Sequence, residues 1–499
     1  MRKKQENDLL KNPIFYIVLI AIASTVLFIY QLTRLAILPN QYVLLILCGF
    51  TFLFIICGII AFRSKSKWFS KTVAGIIAII LTITSGIGSF YLNSTYDSLS
   101  MMSESNGQIK KTTSLYVLKS GAIEDARDLT DHTLGIMENF SESKGASGIG
   151  KKLYSKKANV KYKKYNSAIR MIKDLKGQAI DGVIMDESYL STIEDFEEEK
   201  DIRDQIVSIL DYKYFVEKEE TNKDSVNVTD KPFSVLISGI DTYGDIQSTS
   251  RSDVNIVAVV HPKNHKILLI SIPRDYYVYT RCEENMGCAN GVKDKLTHTG
   301  LYGVECTEMT VESFMDMEIN YNARVNFSSL VQIVDELGGV DVVNPNTFQA
   351  GGYSFEASAE PVHLNGKQAL AYCRERYSFT EGDRERGRNQ MRVLNGIIQK
   401  ALSVQILKNF TGIMNAIGHS FQTNMSVKDM TSLVNMQLKD GGAWQVYSCS
   451  LNGTTGTDYA YALGDNASVM YPDKKTITQA KENIDAILLG DIPPYAKEN

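Results

Sequence analysis

The sequence predicts a membrane-anchored α/β protein: three N-terminal transmembrane helices, a small α/β accessory domain, and a layered α/β domain with a central mixed β-sheet flanked by helices. Three observations carry this. Three uncharged apolar stretches of about 20 residues lie within the first hundred positions. Strand-type and helix-type runs then interleave to the end of the chain. A polar, charged stretch near 217–231, without apolar periodicity, separates two such interleaved regions. The chain of 499 residues is too long for one ordinary domain.

Residues 14–32, 42–62 and 73–92 contain no charged side chain. At roughly 1.5 Å rise per residue each spans a hydrocarbon core of about 30 Å. A signal peptide is the competing reading of the first, but two further spans follow and no small-residue cleavage site intervenes. Arg2, Lys3, Lys4 and Lys11 precede the first span, and only Arg34 lies between the first and second. Arg63, Lys65, Lys67 and Lys71 separate the second from the third. The bias places the amino terminus and second loop inside and everything after Leu92 in the extracytoplasmic space. The chain therefore reads as a multi-pass cell-membrane protein with its bulk outside, where ATP and DNA are poor substrates. A net charge of -4 and the lack of a long basic run outside the membrane-flanking segments also speak against nucleic acid.

The expected organisation is 1–92 for the cytoplasmic tail and membrane helices, 93–220 for the accessory domain, 221–231 for a linker and 232–490 for the catalytic domain. In the accessory region, 115–118 and 179–185 read as buried strands, and 168–175 and 193–210 have helical apolar spacing. Its lysine-rich stretch, 151–164, reads as a solvated face, with contact to anionic polymer or lipid as the alternative. No chemistry is evident there. Seven cysteines include no C-x-x-C pair, and none of the six histidines stands at zinc-site spacing.

After the linker, 233–240, 254–260 and 266–272 are strand-type runs, the last two joined by a short connection at 261–265 that suggests a hairpin. The segment 327–337 has a helical apolar face and is stopped by Gly338-Gly339. Asp241 follows the first strand, Asp253 precedes the second, and Arg274 follows the third. A hairpin brings Asp253 and Arg274 to one end, and an antiparallel first strand brings Asp241 there too. Arg251 sits in the loop between the first two strands. Carboxylates suit a hard cation such as magnesium and arginines suit phosphate oxygens, with plain salt bridging at strand ends an equal alternative. Between Arg374 and Arg388, fifteen residues hold five arginines, four acids and no lysine. That composition points to forked binding of phosphate or carboxylate, or else to an internal ion-pair network. A helix is expected to begin near Arg386, placing Arg386 and Gln390 one turn apart at its amino-terminal end, where the dipole favours an anion.

The runs Leu236-Ile237-Ser238-Gly239-Ile240-Asp241, Arg251-Ser252-Asp253, Ser271-Ile272-Pro273-Arg274-Asp275 and Lys293-Asp294-Lys295-Leu296-Thr297-His298 resemble the LytR-CpsA-Psr family. So do Leu364-Asn365-Gly366-Lys367-Gln368-Ala369-Leu370-Ala371-Tyr372, Arg374-Glu375-Arg376 and Gly382-Asp383-Arg384-Glu385-Arg386-Gly387-Arg388-Asn389-Gln390. The motifs appear in family order. The three-helix anchor and extra domain look like the streptococcal-type capsule-attachment members. The resemblance implies a transferase that binds a polyprenyl-pyrophosphate glycan, its lipid in an apolar channel, and moves capsular polysaccharide or a teichoic-acid-like polymer to a peptidoglycan acceptor. By motif position it implies Asp241 and Asp253 as ligands of a magnesium ion. It implies Arg251, Arg274, Arg374, Arg376, Arg386 and Gln390 on the pyrophosphate, and Arg274, Arg376 and Asp383 as the catalytic group, Asp383 orienting the arginines. Capsule-synthesis membrane proteins are the further partners such a role suggests. Two features depart from the family pattern: Cys282 and Cys288 in the loop 279–292, expected to pair in an oxidising compartment, and Cys373 where an apolar residue is common. A polyprenyl-pyrophosphate hydrolase and a non-enzymatic scaffold of capsule assembly are the competing functions.

Overall fold

The computed structural model describes residues 13–62, 68–103, 108–194, 196–217, 226–240, 249–283, 286–402, 413–414 and 421–498. Helices α1 (Pro13–Leu35), α2 (Asn40–Phe62) and α3 (Trp68–Ser103) are each long and apolar enough to cross a membrane. Their lipid-length faces are exposed, and the small residues Ala21, Ala74 and Ala78 are buried where the helices meet. The third helix outruns the apolar stretch 73–92 that predicts it. Its 36 residues span roughly 54 Å, well beyond a bilayer core of about 30 Å. Leu92, the predicted end of the membrane part, therefore lies inside a continuous helix, whose last turns pack on the outer part of the chain.

The next unit is a five-stranded sheet of β1 (Gln108–Leu118), β2 (Thr133–Met137), β3 (Lys161–Tyr165), β4 (Gly182–Asp186) and β5 (Ile206–Glu217), ordered β3-β2-β4-β1-β5. Helix α4 (Lys144–Ser155) packs on Leu115, Leu134 and Ile184, and α5 (Ala168–Lys176) on Val183 and Met185. Alternating residues of β4 thus face opposite layers. Edge strand β3 carries Lys161, Lys163 and Lys164 of the basic stretch, exposed, with Lys163 paired to Asp174 at 2.7 Å. Charged side chains on an edge strand discourage sheet extension. The segment 193–210 is not the continuous helix that its apolar spacing predicts. Two short helical turns, Ser188–Ile193 and Ile202–Gln205, give way at Ile206 to β5, which pairs with β1 over its whole length. Non-local pairing of the β-branched Ile206 and Val207 outweighs an accidental helical spacing.

The larger unit is built on a seven-stranded mixed sheet: β6 (Phe233–Ile240), β7 (Ser252–His261), β8 (Lys266–Ile272), β9 (Tyr321–Asn326), β10 (Phe421–Thr423), β11 (Gln445–Ser450) and β12 (Lys497–Glu498). Their order is β10-β9-β6-β7-β8-β11-β12. The β9–β6 and β8–β11 pairs are parallel and the rest antiparallel. Part of the expected linker belongs to this unit, since Val228 is buried against Phe233, Tyr321 and Met425. The helices are α6 (Val304–Met315), α7 (Phe327–Glu336), α8 (Gly366–Arg374), α9 (Asp383–Ala401), α10 (Val427–Asp440) and α11 (Lys474–Leu489). Helices α6 and α11 cover one face through Val311, Met315, Ile484 and Ile487 on Val257, Leu268 and Ile270. On the other face, α9 lies over Ile256, Ala258 and Leu269, and α7 and α8 pack beside it.

Candidate site: an apolar cavity ended by arginines

The β7–β8 hairpin forms as its sequence predicts, with Asn255 opposite Ile272 and His261 opposite Lys266 across a 3₁₀ turn. Asp253 and Arg274 each lie two residues beyond the Asn255–Ile272 rung, at the same end. Arg274 Nη1 donates to Asp253 Oδ1 at 3.0 Å, and Arg251 Nη2 is 3.6 Å from Oδ2. Thr297 Oγ1 donates to the same Oδ1 at 2.8 Å, while the Thr297 amide donates to the Arg274 carbonyl. Asp241, the other expected carboxylate, lies outside the described residues. The strand that leads to it ends at Ile240 opposite Ser252, and β6 is antiparallel to β7.

Burial alone would push the Asp253 carboxyl up, but Arg251, Arg274 and Arg386 together hold it far below the usual carboxylate range. It is ionised at every physiological pH. For Arg386, burial pulls the guanidinium down, and Asp383 opposes that pull most strongly. Asp383 forms an ion pair with Arg386 and stands 3.9 Å from Arg274 Nε, so it bridges the two arginines. Lys295 is tied to Asp275 at 2.6 Å, which braces the turn carrying Arg274.

The arginine-rich stretch divides. Helix α9 starts at Asp383, three residues before the expected start, behind Gly382 at a positive φ of 52°. Arg386 and Gln390, one turn apart, line the cavity with Val393, Leu394 and Ile397. Arg384 and Arg388 occupy a different face. Arg384 donates to the Gly453 carbonyl at 2.6 Å, and Arg388 pairs with Glu381 and Glu385. The ion-pair reading therefore holds for Arg388, Arg384 is held by a backbone carbonyl, and Arg386, though paired with Asp383, faces the cavity. Arg374, last residue of α8, and Arg376, beyond an extended Glu375, both line the cavity. Each guanidinium lies over a ring: Arg374 over Phe327 at 4.4 Å, Arg376 over Tyr377 at 4.7 Å. Arg376 also donates to the Tyr377 hydroxyl at 2.6 Å. Gly387 allows α9 to approach the strand end, since a Cβ there would come within 2.9 Å of Ser271 Oγ.

These groups end a cavity of about 520 Å³ whose remaining wall is apolar except for Asn326. Val235, Ile237 and Gly239 of β6, Val254, Ile256 and Ala258 of β7, and Ala323 and Val325 of β9 form its floor. Phe327, Leu330 and Ile333 of α7, Leu370 and Cys373 of α8, the apolar face of α9, and Phe421 of β10 complete it. Cys373, the departure from the family pattern, is buried in this wall and its thiol is pushed up to about 12 by burial. It behaves there as a small apolar residue. Cys282 and Cys288 are joined in a disulfide. The roles of Thr297, Phe327 and Tyr377 were not foreseen. Thr297 lies within the run 293–298 and Tyr377 next to Arg376, and Phe327 has no such local signal.

The LytR_cpsA_psr family profile matches residues 207–486. The polyisoprenyl-teichoic acid–peptidoglycan teichoic acid transferase TagU of Enterococcus faecalis is 37% identical over 218 residues, 43% of this chain and 69% of TagU. The protein of the same name from Bacillus cereus is 37% identical over 201 residues, 40% of this chain and 63% of its own length, under two thirds. The crystal structure of B. subtilis TagU shares 29% identity with a TM-score of 0.40, covering 52% of this chain and 97% of that one. With more than half of its length matched by the profile, and the candidate site residues that are described gathered at or beside one cavity, the chain belongs to the LytR-CpsA-Psr family.

Proposed function

We propose that this protein transfers a glycopolymer from a polyisoprenyl-pyrophosphate carrier to peptidoglycan at the outer face of the membrane. One observation carries the reading: a mostly apolar cavity, whose polar end presents Arg251, Arg274, Arg374, Arg376 and Arg386. That shape suits an amphiphile with a hydrocarbon tail and a diphosphate head. Similarity to transferases named for a polyisoprenyl-linked teichoic acid and peptidoglycan supports the same substrate class. In this reading the transferred polymer is of the teichoic-acid or capsular kind, and three helices long and apolar enough to cross a membrane support a membrane-borne donor.

An acceptor hydroxyl attacks the phosphorus that bears the glycan. The bond to the bridging oxygen breaks, polyisoprenyl phosphate leaves, and the hydroxyl proton passes to solvent. The product is a glycan joined to the acceptor through a phosphodiester. The cavity wall holds the tail while Arg274, Arg376 and Arg386, fixed by Asp253, Tyr377 and Asp383, face the charge that develops on the leaving phosphate. Arg251, Arg374 and Gln390 complete the pyrophosphate-binding set.

A magnesium ion fits the donor chemistry of the site. Asp253 stays ionised, and among the described residues its Oδ2 carries only the 3.6 Å contact to Arg251. Asp253 would hold the ion with Asp241 as second ligand, and the ion would add positive charge at the phosphates. Asp253 has a second task that needs no metal, which is to fix Arg274 and Thr297.

The test is transfer by the full chain in vesicles, using a polyisoprenyl-pyrophosphate glycan with and without peptidoglycan, in magnesium and in chelator. Acceptor-dependent release of polyisoprenyl phosphate is the expected result. Equal release without acceptor means a hydrolase. Full capsule or polymer attachment in cells carrying Arg274→Ala or Arg376→Ala means a scaffold. Undiminished transfer in chelator removes the magnesium.

A further inference from the structure

The cavity and the membrane anchor meet at one edge of the large sheet. Phe421 opens edge strand β10, pairs across the ladder with Val325, and lines the cavity beside it. It also belongs to an apolar cluster with Leu35 and Ile37, at the outer end of α1, and with Leu99 and Met102 of α3. Helix α7 makes the same link. Leu330 and Ile333 line the cavity, and Leu337, one turn further, joins the anchor cluster. Helix α10 seals the junction from the far side through Val434 and Leu438, and Asn435 Nδ2 donates to the Ala36 carbonyl at 3.0 Å. This contact explains why α3 continues beyond membrane length. The anchor is docked against the catalytic unit where the cavity wall becomes the membrane-helix surface.

Size makes the position informative. A cavity of about 520 Å³ holds a drug-sized group, in the ordinary range of roughly 300–1,000 Å³. A carrier tail long enough to reside in a bilayer cannot fit whole, and whatever protrudes into water is unfavourable. Phe421 stands on β10, four strand spacings (roughly 19 Å) from β8, which carries Arg274. Among the described residues, Phe421 and the α7 stripe are where apolar lining runs on without a break into the anchor.

We propose that this junction of Phe421 and Leu337 with the outer ends of α1 and α3 is the passage by which the carrier's polyisoprenyl tail runs from bilayer to cavity, so that the tail never crosses water. The inference rests on the transfer reading above and adds a role for the anchor, which becomes part of the substrate site. It predicts a discrimination that a tether would not produce. Long-chain carriers depend on the junction, whereas a short, water-soluble one reaches the arginines without it.

The test uses the full chain in phosphatidylglycerol vesicles, unaltered and as Met102→Gln and Val434→Gln, two junction residues outside the cavity. Two donors are compared, a long-chain polyisoprenyl-pyrophosphate glycan in the bilayer and a two-isoprene analogue in solution. Transfer from the long-chain donor should fall at least about tenfold, the factor that roughly two exposed methylenes account for. Transfer from the short donor should hold within about twofold, which also reports that the variants fold. Loss on both donors alike, or on neither, overturns the passage. An unaltered protein inactive on both donors overturns the transfer reading itself. As a second measurement on the unaltered chain, a photoreactive long-chain polyisoprenyl phosphate should label peptides containing Phe421 and those containing Leu99–Met102. Labelling confined to the apolar stretches 14–32, 42–62 and 73–92 would refute the proposal.

Discussion

Replacing Asp253 by Asn tests whether the arginine cluster is held together by one carboxylate. In the native protein this group accepts from Arg274 and Thr297 and lies 3.6 Å from Arg251, with side-chain exposure of only 13%. The substitution keeps the shape and removes the charge, leaving buried arginines facing one another. Removing one partner of a buried ion pair costs about 3–5 kcal/mol, and partial solvent access puts this case at the lower limit, about 3 kcal/mol. For a domain of this size that is a fall in Tm of roughly 6–12 °C. The pH dependence has a definite sign. A depressed folded pKa contributes stability that is present above the unfolded value of 3.8 and is lost as pH falls through the folded one. The gap between native and Asp253→Asn proteins should therefore be constant at neutral pH and narrow below about pH 4. Inorganic pyrophosphate adds a second readout, because an anion replaces the missing charge. In chelator the variant should bind it as tightly as the native protein or tighter. In magnesium, only the native protein should gain, if Asp253 also holds the ion. Thermal unfolding followed through Trp444, with and without pyrophosphate, measures all of this. Equal Tm values and parallel pH profiles would refute the account of Asp253.

Arg274→Lys and Arg376→Lys should each lower transfer on the order of 100-fold, because a point charge does not reproduce a forked contact. Arg388→Lys, which touches Glu381 and Glu385 rather than the cavity, should stay within about threefold; equal effects at all three positions would contradict the division of the cluster. Ala258→Trp narrows the cavity from its floor and should weaken binding of a polyisoprenyl phosphate while leaving inorganic pyrophosphate unaffected; titration of both ligands decides. Mass mapping of non-reduced protein should find Cys282 linked to Cys288, with Cys306 free although the three sulfurs lie within 4.8 Å of one another. Burial pushes the Cys306 thiol far up, so it stays protonated and a poor nucleophile, and a disulfide containing Cys306 would show otherwise.

What the sequence made legible follows the range of the interactions involved. The meeting of Asp253 with Arg274 was readable because two strand runs and a five-residue connection leave little choice of register, and register decides which ends coincide. The arginine cluster was readable as composition but not as geometry. With the helix taken to begin near Arg386, Arg384 had no face; once it begins at Asp383, Arg384 and Arg388 fall on one side and Arg386 and Gln390 on another. The strand at 206–217 was hidden because its partner, β1, lies some ninety residues away and supplies the preference that local spacing lacks. The cavity was least visible of all. Its wall draws single apolar positions from three strands and three helices, plus Phe421 on an edge strand, and each position alone resembles ordinary core. What separates it from core is an omission, since among the described residues no side chain from the opposing layers fills the space between β6, β7 and α9. Close packing is the default in a protein interior, and a persistent apolar void of this size forgoes dispersion contacts on every wall. A void ending in five arginines is therefore best understood as a shape kept for a hydrocarbon ligand that brings its own negative charge.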